Sequence, residues 1–237
     1  RSTRLPRAIR DVYKRQPHVP QSSNPPSISW CSLCTGTATT WLSSPSGRSR
    51  RWLPRLRPTK TSPRAHIVFM GGALTVPGNV TPCAEANINQ DPEAADFVFR
   101  QGEDITMIGL DVTLQTLLTT VETKQWGDLG TAGGDFLATA TNYYIKAYET
   151  TAPHLGGCGL HDPLAVAVAA DPSLVDTLAI NLKVDTDGET RGRTIGDETC
   201  LNDPVKSARV AVGVDVDRFL EEFMRRLTGL ARETPVV

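Results

Sequence analysis

The segment VPGNVTPCAEANINQDPEAA, residues 76–95, decides how the fold of this chain is interpreted. It follows the apolar run HIVFM, residues 66–70, and a Gly-Gly pair, which together predict a buried strand that ends in a tight turn. The motif Asp-Pro-Glu that begins at Asp91 predicts the start of a helix, because Asp caps helices, Pro suits the first helical position and Glu faces the positive end of the dipole. The segment therefore joins a strand to a helix.

Three side chains of this segment are suited to bind the hydroxyl groups of a sugar: Asn79, Glu85 and Asn87. Ligands of open α/β sheets bind at the carboxyl ends of the strands, and Asn79 lies in a turn just past such an end. Glu85 and Asn87 are two residues apart, so in an extended segment they would share a face at about 6–7 Å. A carboxylate beside an amide matches the vicinal hydroxyls of ribose. The alternative is that the asparagines only satisfy the backbone of turns.

Predicted strands and helices alternate along the rest of the chain. The hydrophobic pattern predicts strands at 104–112, 178–184, 191–195 and 208–212. It predicts helices at 92–100, 114–123, 136–149, 162–170 and 215–230, of which the last is amphipathic. This alternation predicts an α/β fold with a mostly parallel open sheet and flanking helices.

A second polar motif, His161-Asp162, begins the predicted helix at 162–170. A carboxylate at a helix N-terminus has an ordinary explanation as a cap, so the pair alone is weak evidence for a site. The pair follows Cys-Gly-Leu and leads into the sequence LAVA. Together with MGGA at residues 70–73 and the segment 76–95, it resembles the nucleoside hydrolase family, the inosine-uridine-preferring nucleoside N-ribohydrolases, over residues 66–237.

The resemblance implies a reaction and a role for each candidate residue. The reaction is hydrolysis of the N-glycosidic bond of purine or pyrimidine ribonucleosides to base and ribose by calcium-activated water. Asp162 is then a ligand of Ca²⁺, which prefers carboxylate oxygens, and His161 is a catalytic residue that helps the base to depart. Asn79, Glu85 and Asn87 bind the ribose. The family also implies a homodimer or homotetramer and a role in purine and pyrimidine salvage.

Residues 1–65 differ in composition from the rest of the chain. They hold 13 of its 25 Lys and Arg residues and one of its 26 Asp and Glu residues, Asp11, so they carry a charge of about +12 and the remainder about −13. Three hypotheses are open: a basic disordered arm that binds nucleic acid, a low-complexity Pro/Ser-rich linker, or a wrong-frame translation. We favour the last, because a shifted frame at residues 45–50 is compatible with AIGPLT, which resembles a family segment. We therefore expect 1–65 to be non-native or disordered and 66–237 to be the C-terminal part of a nucleoside hydrolase domain.

This division has consequences for the metal site. The family's aspartate cluster of the form DxDxxxDD has no counterpart in the sequence, and we expect the sheet to miss its N-terminal strands. The Ca²⁺ site is then incomplete, and the activity of this truncated chain is impaired. The alternative function is a non-catalytic fragment that binds nucleosides or ribose.

The cysteines and the lengths of the apolar runs exclude several classes of protein, and the preference for a base stays open. Cys31 and Cys34 could suggest zinc or redox chemistry, but they lack a second ligand pair. No apolar run approaches the about 18 residues of a membrane span, and five scattered cysteines do not indicate a secreted disulfide framework. We therefore expect a cytoplasmic protein with a ribonucleoside substrate, without nucleic-acid or membrane partners. Base preference stays open, with Trp126 and the tyrosines of 136–149 as candidates for either stacking on a base or packing in a core.

Overall fold

The structure, a computed structural model, describes residues 40–41, 66–101 and 104–233. Its strands are β1 Thr40–Trp41, β2 Ile67–Met70, β3 Ile105–Ile108, β4 Leu117–Leu118, β5 Cys158–Gly159, β6 Val175–Ile180, β7 Leu182–Val184, β8 Thr194–Gly196 and β9 Ala208–Val214. Its α-helices are α1 Ala86–Gln90, α2 Pro92–Gln101, α3 Leu110–Thr113, α4 Thr120–Gly127, α5 Ala132–Thr151, α6 His161–Ala170 and α7 Val216–Glu233.

The chain divides into two compact units. The first, which we call the sheet unit, contains the described residues up to Thr116 together with Gly159–Leu220. The second, which we call the helical unit, contains Leu117–Cys158 and the described residues from Glu221 onward.

A five-stranded sheet forms the centre of the sheet unit, in the order β1-β2-β3-β9-β6. The first four strands are parallel, and β6 pairs antiparallel with β9. All four residues of β3, Ile105–Ile108, are buried, as is typical of a parallel strand that is covered on both faces. The predicted mostly parallel open sheet is therefore confirmed.

Helix α2 and the β7-β8 hairpin complete the core of the sheet unit. Phe99 of α2 is fully buried and packs in one cluster with Met107, Leu182 and Val210. Asp96 on the same helix accepts a hydrogen bond from the backbone N–H of Val184 at 2.9 Å. Arg191 between the hairpin strands also donates to the Glu93 carboxylate of α2. Apolar burial and these polar contacts thus fix the hairpin against α2, since burying a side chain of this size contributes about 2 kcal/mol.

The helical unit is built around a buried tryptophan. The indole N–H of Trp126 donates to the Thr228 hydroxyl at 3.1 Å, and its ring meets Phe223 edge to face with centroids 6.2 Å apart. Trp126 was a candidate either for stacking on a base or for packing in a core, and the structure shows that it packs in a core. Tyr144 remains half exposed beside Tyr148 on α5.

Most predicted elements are confirmed, with shifts at their ends, and three differ from the prediction. The predicted strand 104–112 ends at Ile108 and is followed by the helical turn Leu110–Thr113. The predicted helix 114–123 is replaced by the short strand β4 and by α4, which begins at Thr120. The predicted strand 178–184 is split into β6 and β7.

The predictions for residues 1–65, including those for Cys31 and Cys34, lie outside the described residues apart from Thr40 and Trp41. These two residues pair in parallel with Ile67 and Val68 at the edge of β2. Within the part of the chain that the structure describes, no helix is both long and apolar enough to cross a bilayer.

Candidate functional site

The site is built on the turn that follows β2. Gly72 has a left-handed backbone with φ 84°, and its N–H donates to the Glu85 carboxylate at 3.0 Å. Its carbonyl oxygen accepts from the N–H of Leu110, which follows β3, at 2.9 Å. The turn therefore ties the carboxyl ends of two neighbouring parallel strands to the segment that contains Glu85, which is where α/β sheets place ligands.

Glu85 is the N-cap of α1 and is only 2% exposed. Its Oε2 accepts from the N–H groups of Gly72, Asn87 and Ile88, and its Oε1 accepts from that of Asn87 at 2.9 Å. The expectation of an extended segment at 85–87 is wrong, because residues 86–90 are helical. Each carboxylate oxygen has two acceptor positions, so Oε1 can still accept a ligand hydroxyl.

The charge state of Glu85 reflects opposing influences. Burial raises the pKa of its carboxyl group, the backbone N–H groups of Asn87, Gly72 and Ile88 lower it, and the nearby charge of Asp162 raises it again. The net pKa lies above the ordinary value of a glutamate. The two signature motifs, remote in sequence, come near one another in the fold because the helix that begins at His161 packs against β2.

The two asparagines have different surroundings. The Asn87 side-chain amide donates to the carbonyl oxygen of Met70, the last residue of β2, at 3.3 Å. The Asn79 Oδ1 accepts from the N–H of Ala86 at 2.9 Å, and the Asn79 side chain is exposed. Asn79 therefore does satisfy backbone at the start of α1. The Asn87 amide nitrogen also lies 3.3 Å from the Met70 sulfur, so both of its N–H groups face Met70, whereas the exposed Asn79 amide is open to a ligand.

Asp111 is a residue of the site that sequence patterns did not indicate. It is buried, and its carboxylate accepts from the N–H groups of Leu74 and Thr75 at 2.9 and 2.7 Å and from the Thr75 hydroxyl at 2.6 Å. These bonds hold the start of the loop that leads to Asn79. Asp111 lies inside the predicted strand 104–112, whereas the structure places it beyond the end of β3.

His161 and Asp162 are the first two residues of α6, a helix that packs against β2. The His161 ring is half-buried, and its Nδ1 lies 2.8 Å from the hydroxyl oxygen of Thr113. Burial lowers the pKa of His161, and the charge of Asp162 partly offsets this effect. Asp162 is exposed at the positive end of the helix dipole.

The carboxylates of the sheet unit do not by themselves fit a calcium ion. Among residues 40–41, 66–101 and 104–233, no group of three or more His, Cys, Asp or Glu side chains is placed to hold a metal. Both oxygens of Glu85 already accept backbone N–H groups, which leaves Asp162 as the one candidate ligand predicted from the sequence. Ca²⁺ takes about six to eight oxygen ligands.

The sheet and this cluster together define a class of protein, an α/β protein with acidic, amide and imidazole groups at the carboxyl edge of a parallel sheet. The chain belongs to the inosine-uridine preferring nucleoside hydrolase family, whose sequence pattern it matches over residues 52–221. The family resemblance carried by residues 76–95 and by the His-Asp pair is thereby confirmed.

Individual relatives agree with this assignment. An inosine-uridine preferring nucleoside hydrolase of Leishmania major is 35% identical over 166 residues, which are 70% of this chain and 52% of that protein. The pyrimidine-specific ribonucleoside hydrolase RihA of Shigella boydii is 35% identical over 164 residues, or 69% of this chain and 52% of that protein. The chain thus spans about half the length of the curated relatives it matches.

Two solved structures are similar in fold as well as in sequence. A purine-preferring ribonucleoside hydrolase from Gardnerella vaginalis is 72% identical with a TM-score of 0.69, over 70% of this chain and 53% of that one. A plant nucleoside hydrolase, the PpNRh1 enzyme, is 35% identical with a TM-score of 0.62, over 69% of this chain and 53% of that one.

Proposed function

We propose that the site binds the ribosyl group of a ribonucleoside and takes part in hydrolysis of its N-glycosidic bond. The observation that carries this proposal is the arrangement at the end of β2, where the Glu85 carboxylate and the exposed Asn79 amide lie at the start of one helix with Asn87 beside them, in a chain of this family. A vicinal diol needs such a pair, because each hydroxyl both donates and accepts.

The charges of the site suit the reaction. Positive charge develops on the ribosyl ring as the bond to the base breaks, and carboxylates held nearby stabilise that charge more than they stabilise the ground state. Glu85 and Asp162 are the acidic groups of the site, and the charge of Asp162 acts to raise the pKa of Glu85. Because burial lowers the pKa of His161, its ring is neutral near pH 7 and can donate a hydrogen bond to the departing base.

Calcium is the proposed cofactor, with Asp162 as one ligand, and when bound it would supply the activated water. The described residues do not complete its site, so we propose that this 237-residue chain by itself is impaired in hydrolysis. A nucleoside-binding fragment without catalysis is the second candidate function. What supports it is that Glu85 and Asn87 lie together at the end of β2, whereas residues 40–41, 66–101 and 104–233 hold no group of three potential metal ligands.

We propose a purine ribonucleoside as the substrate, in the context of purine salvage. The support is the 72% identity to the purine-preferring hydrolase of Gardnerella vaginalis, against 35% to the pyrimidine-specific one of Shigella boydii. A homodimer or homotetramer and a cytoplasmic location are proposed on the family resemblance.

Titration calorimetry with inosine and with uridine tests the proposal. We expect inosine to bind more tightly than uridine, and Asn87→Ala to weaken inosine binding about tenfold, since hydrogen bonds of this kind contribute about 1 kcal/mol each. Asn202→Ala is the matched control, because it removes an exposed amide from a turn elsewhere in the sheet unit. No heat at millimolar inosine, or equal affinities for both variants, would contradict ribosyl binding.

A reducing-sugar assay on the same samples separates the two candidate functions. Release of ribose from inosine that is lost in His161→Ala would show hydrolysis by this chain and would contradict its proposed impairment. Binding without release would favour the non-catalytic fragment.

A further inference from the structure

The His161 ring is held by a buried hydroxyl that has no other assigned role. Thr113 is the last residue of α3 and is 0% exposed, and its Oγ1 lies 2.8 Å from the His161 Nδ1. Forty-eight residues separate the two along the chain. A buried hydroxyl placed on one ring nitrogen determines which nitrogen carries the proton of a neutral imidazole.

The direction of this hydrogen bond follows from the surroundings of Thr113. Within the described part of the chain, the Thr113 hydroxyl has one hydrogen-bond partner, Nδ1 of His161. If Nδ1–H donated to Oγ1, the hydroxyl hydrogen would be buried without an acceptor, which costs about 1–3 kcal/mol. If the hydroxyl donates to Nδ1, both groups are satisfied. The ring proton of neutral His161 is then on Nε2.

A glycine makes room for the other side of the same ring. A Cβ at Gly159 would lie 2.7 Å from Nε2 and 2.9 Å from Cε1 of His161, closer than any stable contact. The backbone of Gly159 is outside the left-handed region, so alanine is acceptable there except for this collision. The ring therefore occupies space that a side chain at residue 159 would fill.

Backbone contacts fix the two segments that meet at the ring. The N–H of Leu160 donates to the carbonyl oxygen of Thr116 at 2.9 Å. The Thr116 hydroxyl in turn donates to the carbonyl oxygen of Thr113 at 3.1 Å. The Leu160–Thr116 backbone bond thus joins the segment 113–116 to the start of α6 near the Thr113–His161 contact, and it does not depend on the Thr116 side chain.

We propose that Thr113 is a positioning residue that holds His161 in its Nε2–H tautomer and in a single rotamer, with Gly159 leaving space for the ring. This inference rests on the proposed function for its catalytic meaning, since a departing base needs a hydrogen-bond donor and the Nε2–H tautomer provides one. The tautomer itself is a property of the chain, whether or not the chain hydrolyses nucleosides.

Nitrogen NMR of the imidazole rings tests the positioning directly. Correlation spectra of the ¹⁵N-labelled 237-residue chain, at a pH above the ordinary range of His, distinguish the two tautomers, and His161→Gln identifies the signals. We expect Nε2–H in the native chain, a mixture of tautomers in Thr113→Val, and recovery of Nε2–H in Thr113→Ser. Thr116→Val is the matched control, because it removes a buried hydroxyl of the same turn that does not contact His161. The tautomer of His161 should be unchanged in this variant.

Kinetics give a second measure where ribose release from inosine is detectable. Thr113→Val should lower kcat about tenfold with little change in KM, because it impairs a donor to the leaving group and not sugar binding. Gly159→Ala should have the same signature, since it displaces the ring, whereas Thr116→Val should affect both parameters little.

The outcomes separate the inference from the proposed function. An Nδ1–H tautomer in the native chain, or a Thr113→Val spectrum that matches that of Thr116→Val, overturns the role of Thr113. Absence of nucleoside binding overturns the proposed function and leaves the tautomer result to decide the inference alone. A Thr113→Val variant that fails to fold shifts the decision to Thr113→Ser and Gly159→Ala, whose spectra must then show a retained and a disturbed ring respectively.

Discussion

Individual residues of the site depend on backbone geometry as much as on side-chain chemistry, and Gly72 shows this most clearly. With φ at 84°, a Cβ at this position would be strained and would lie 2.7 Å from the Met107 sulfur and 3.0 Å from the Thr194 hydroxyl. Met107 is fully buried, so it has little room to move. We expect Gly72→Ala to lower the free energy of unfolding by about 2–4 kcal/mol, as measured by urea denaturation.

Gly130 provides the matched control for that substitution. It also has a left-handed backbone, with φ 64°, but a Cβ there would meet no atom within 4 Å. Gly130→Ala should therefore cost only the backbone strain, about 1 kcal/mol. Equal losses in the two variants would mean that the close approach of Gly72 to Met107 does not contribute.

The sequence indicated which polar residues lie together at the end of β2 better than it indicated their geometry. The MGGA turn, Glu85 and Asn87 come together as expected, because they lie near the end of one strand. Their helical setting was missed, since α1 has only five residues and little apolar periodicity. Asp111 and Thr113 were missed for another reason: they act through contacts with residues 36 to 48 positions away, and a single polar residue in an apolar run carries no pattern.

At the scale of elements, α4 in the helical unit owes its start to a capping box. The Thr119 backbone N–H and hydroxyl donate to Glu122 Oε2 at 2.8 and 2.6 Å, and the Thr119 hydroxyl accepts from the N–H of Val121. Burial acts to raise the pKa of Glu122, but the hydrogen bonds from Thr119 outweigh it and the pKa lies below its ordinary value. The ionised carboxylate therefore stabilises the folded chain.

This stabilisation should depend on pH in a defined direction. Because the pKa of Glu122 is lower in the folded chain, its contribution is complete above the ordinary pKa of 4.5 and is lost as the pH falls through the folded value. We expect Glu122→Gln to cost about 0.5 kcal/mol near neutral pH and less in acid. Urea denaturation of both proteins, near neutral pH and in acid, measures how much the free energy of unfolding falls at each pH. Glu189→Gln, in an exposed turn, is the control, and an equal loss at both pH values would contradict the charge argument.

The errors in predicting elements have a common physical cause. Residues 110–118, LDVTLQTLL, alternate between apolar and polar side chains without a clear period, so strand and helix are both compatible with them. Tertiary contacts decide here, as in the hydrogen bonds of Asp111 to residues 74 and 75. Longer periodic segments such as α5 and α7 were predicted well because their patterns extend over several turns.

At the scale of the whole molecule, the division of charge between residues 1–65 and the remainder indicates that the two parts do not form one domain. The wrong-frame hypothesis for the first segment rests on the shifted frame at residues 45–50. Resequencing the genomic DNA upstream of the His66 codon tests it. We expect another reading frame that runs into this codon and encodes an acidic segment of the form DxDxxxDD. Confirmation of the present frame would contradict the hypothesis and would favour the nucleoside-binding function over hydrolysis.

The metal chemistry of the 237-residue chain gives the remaining prediction at this scale. Carboxylates decide affinity for Ca²⁺, and residues 1–65 add only Asp11 to the candidate ligand Asp162. We therefore expect calorimetry with CaCl₂ to show a dissociation constant no tighter than about 1 mM, the weak end of protein calcium sites. Asp203→Asn, which neutralises an exposed carboxylate outside the site, should behave like the native chain. Micromolar binding that disappears in Asp162→Asn would show instead that this chain completes a calcium site, and hydrolysis would then be expected of it without further residues.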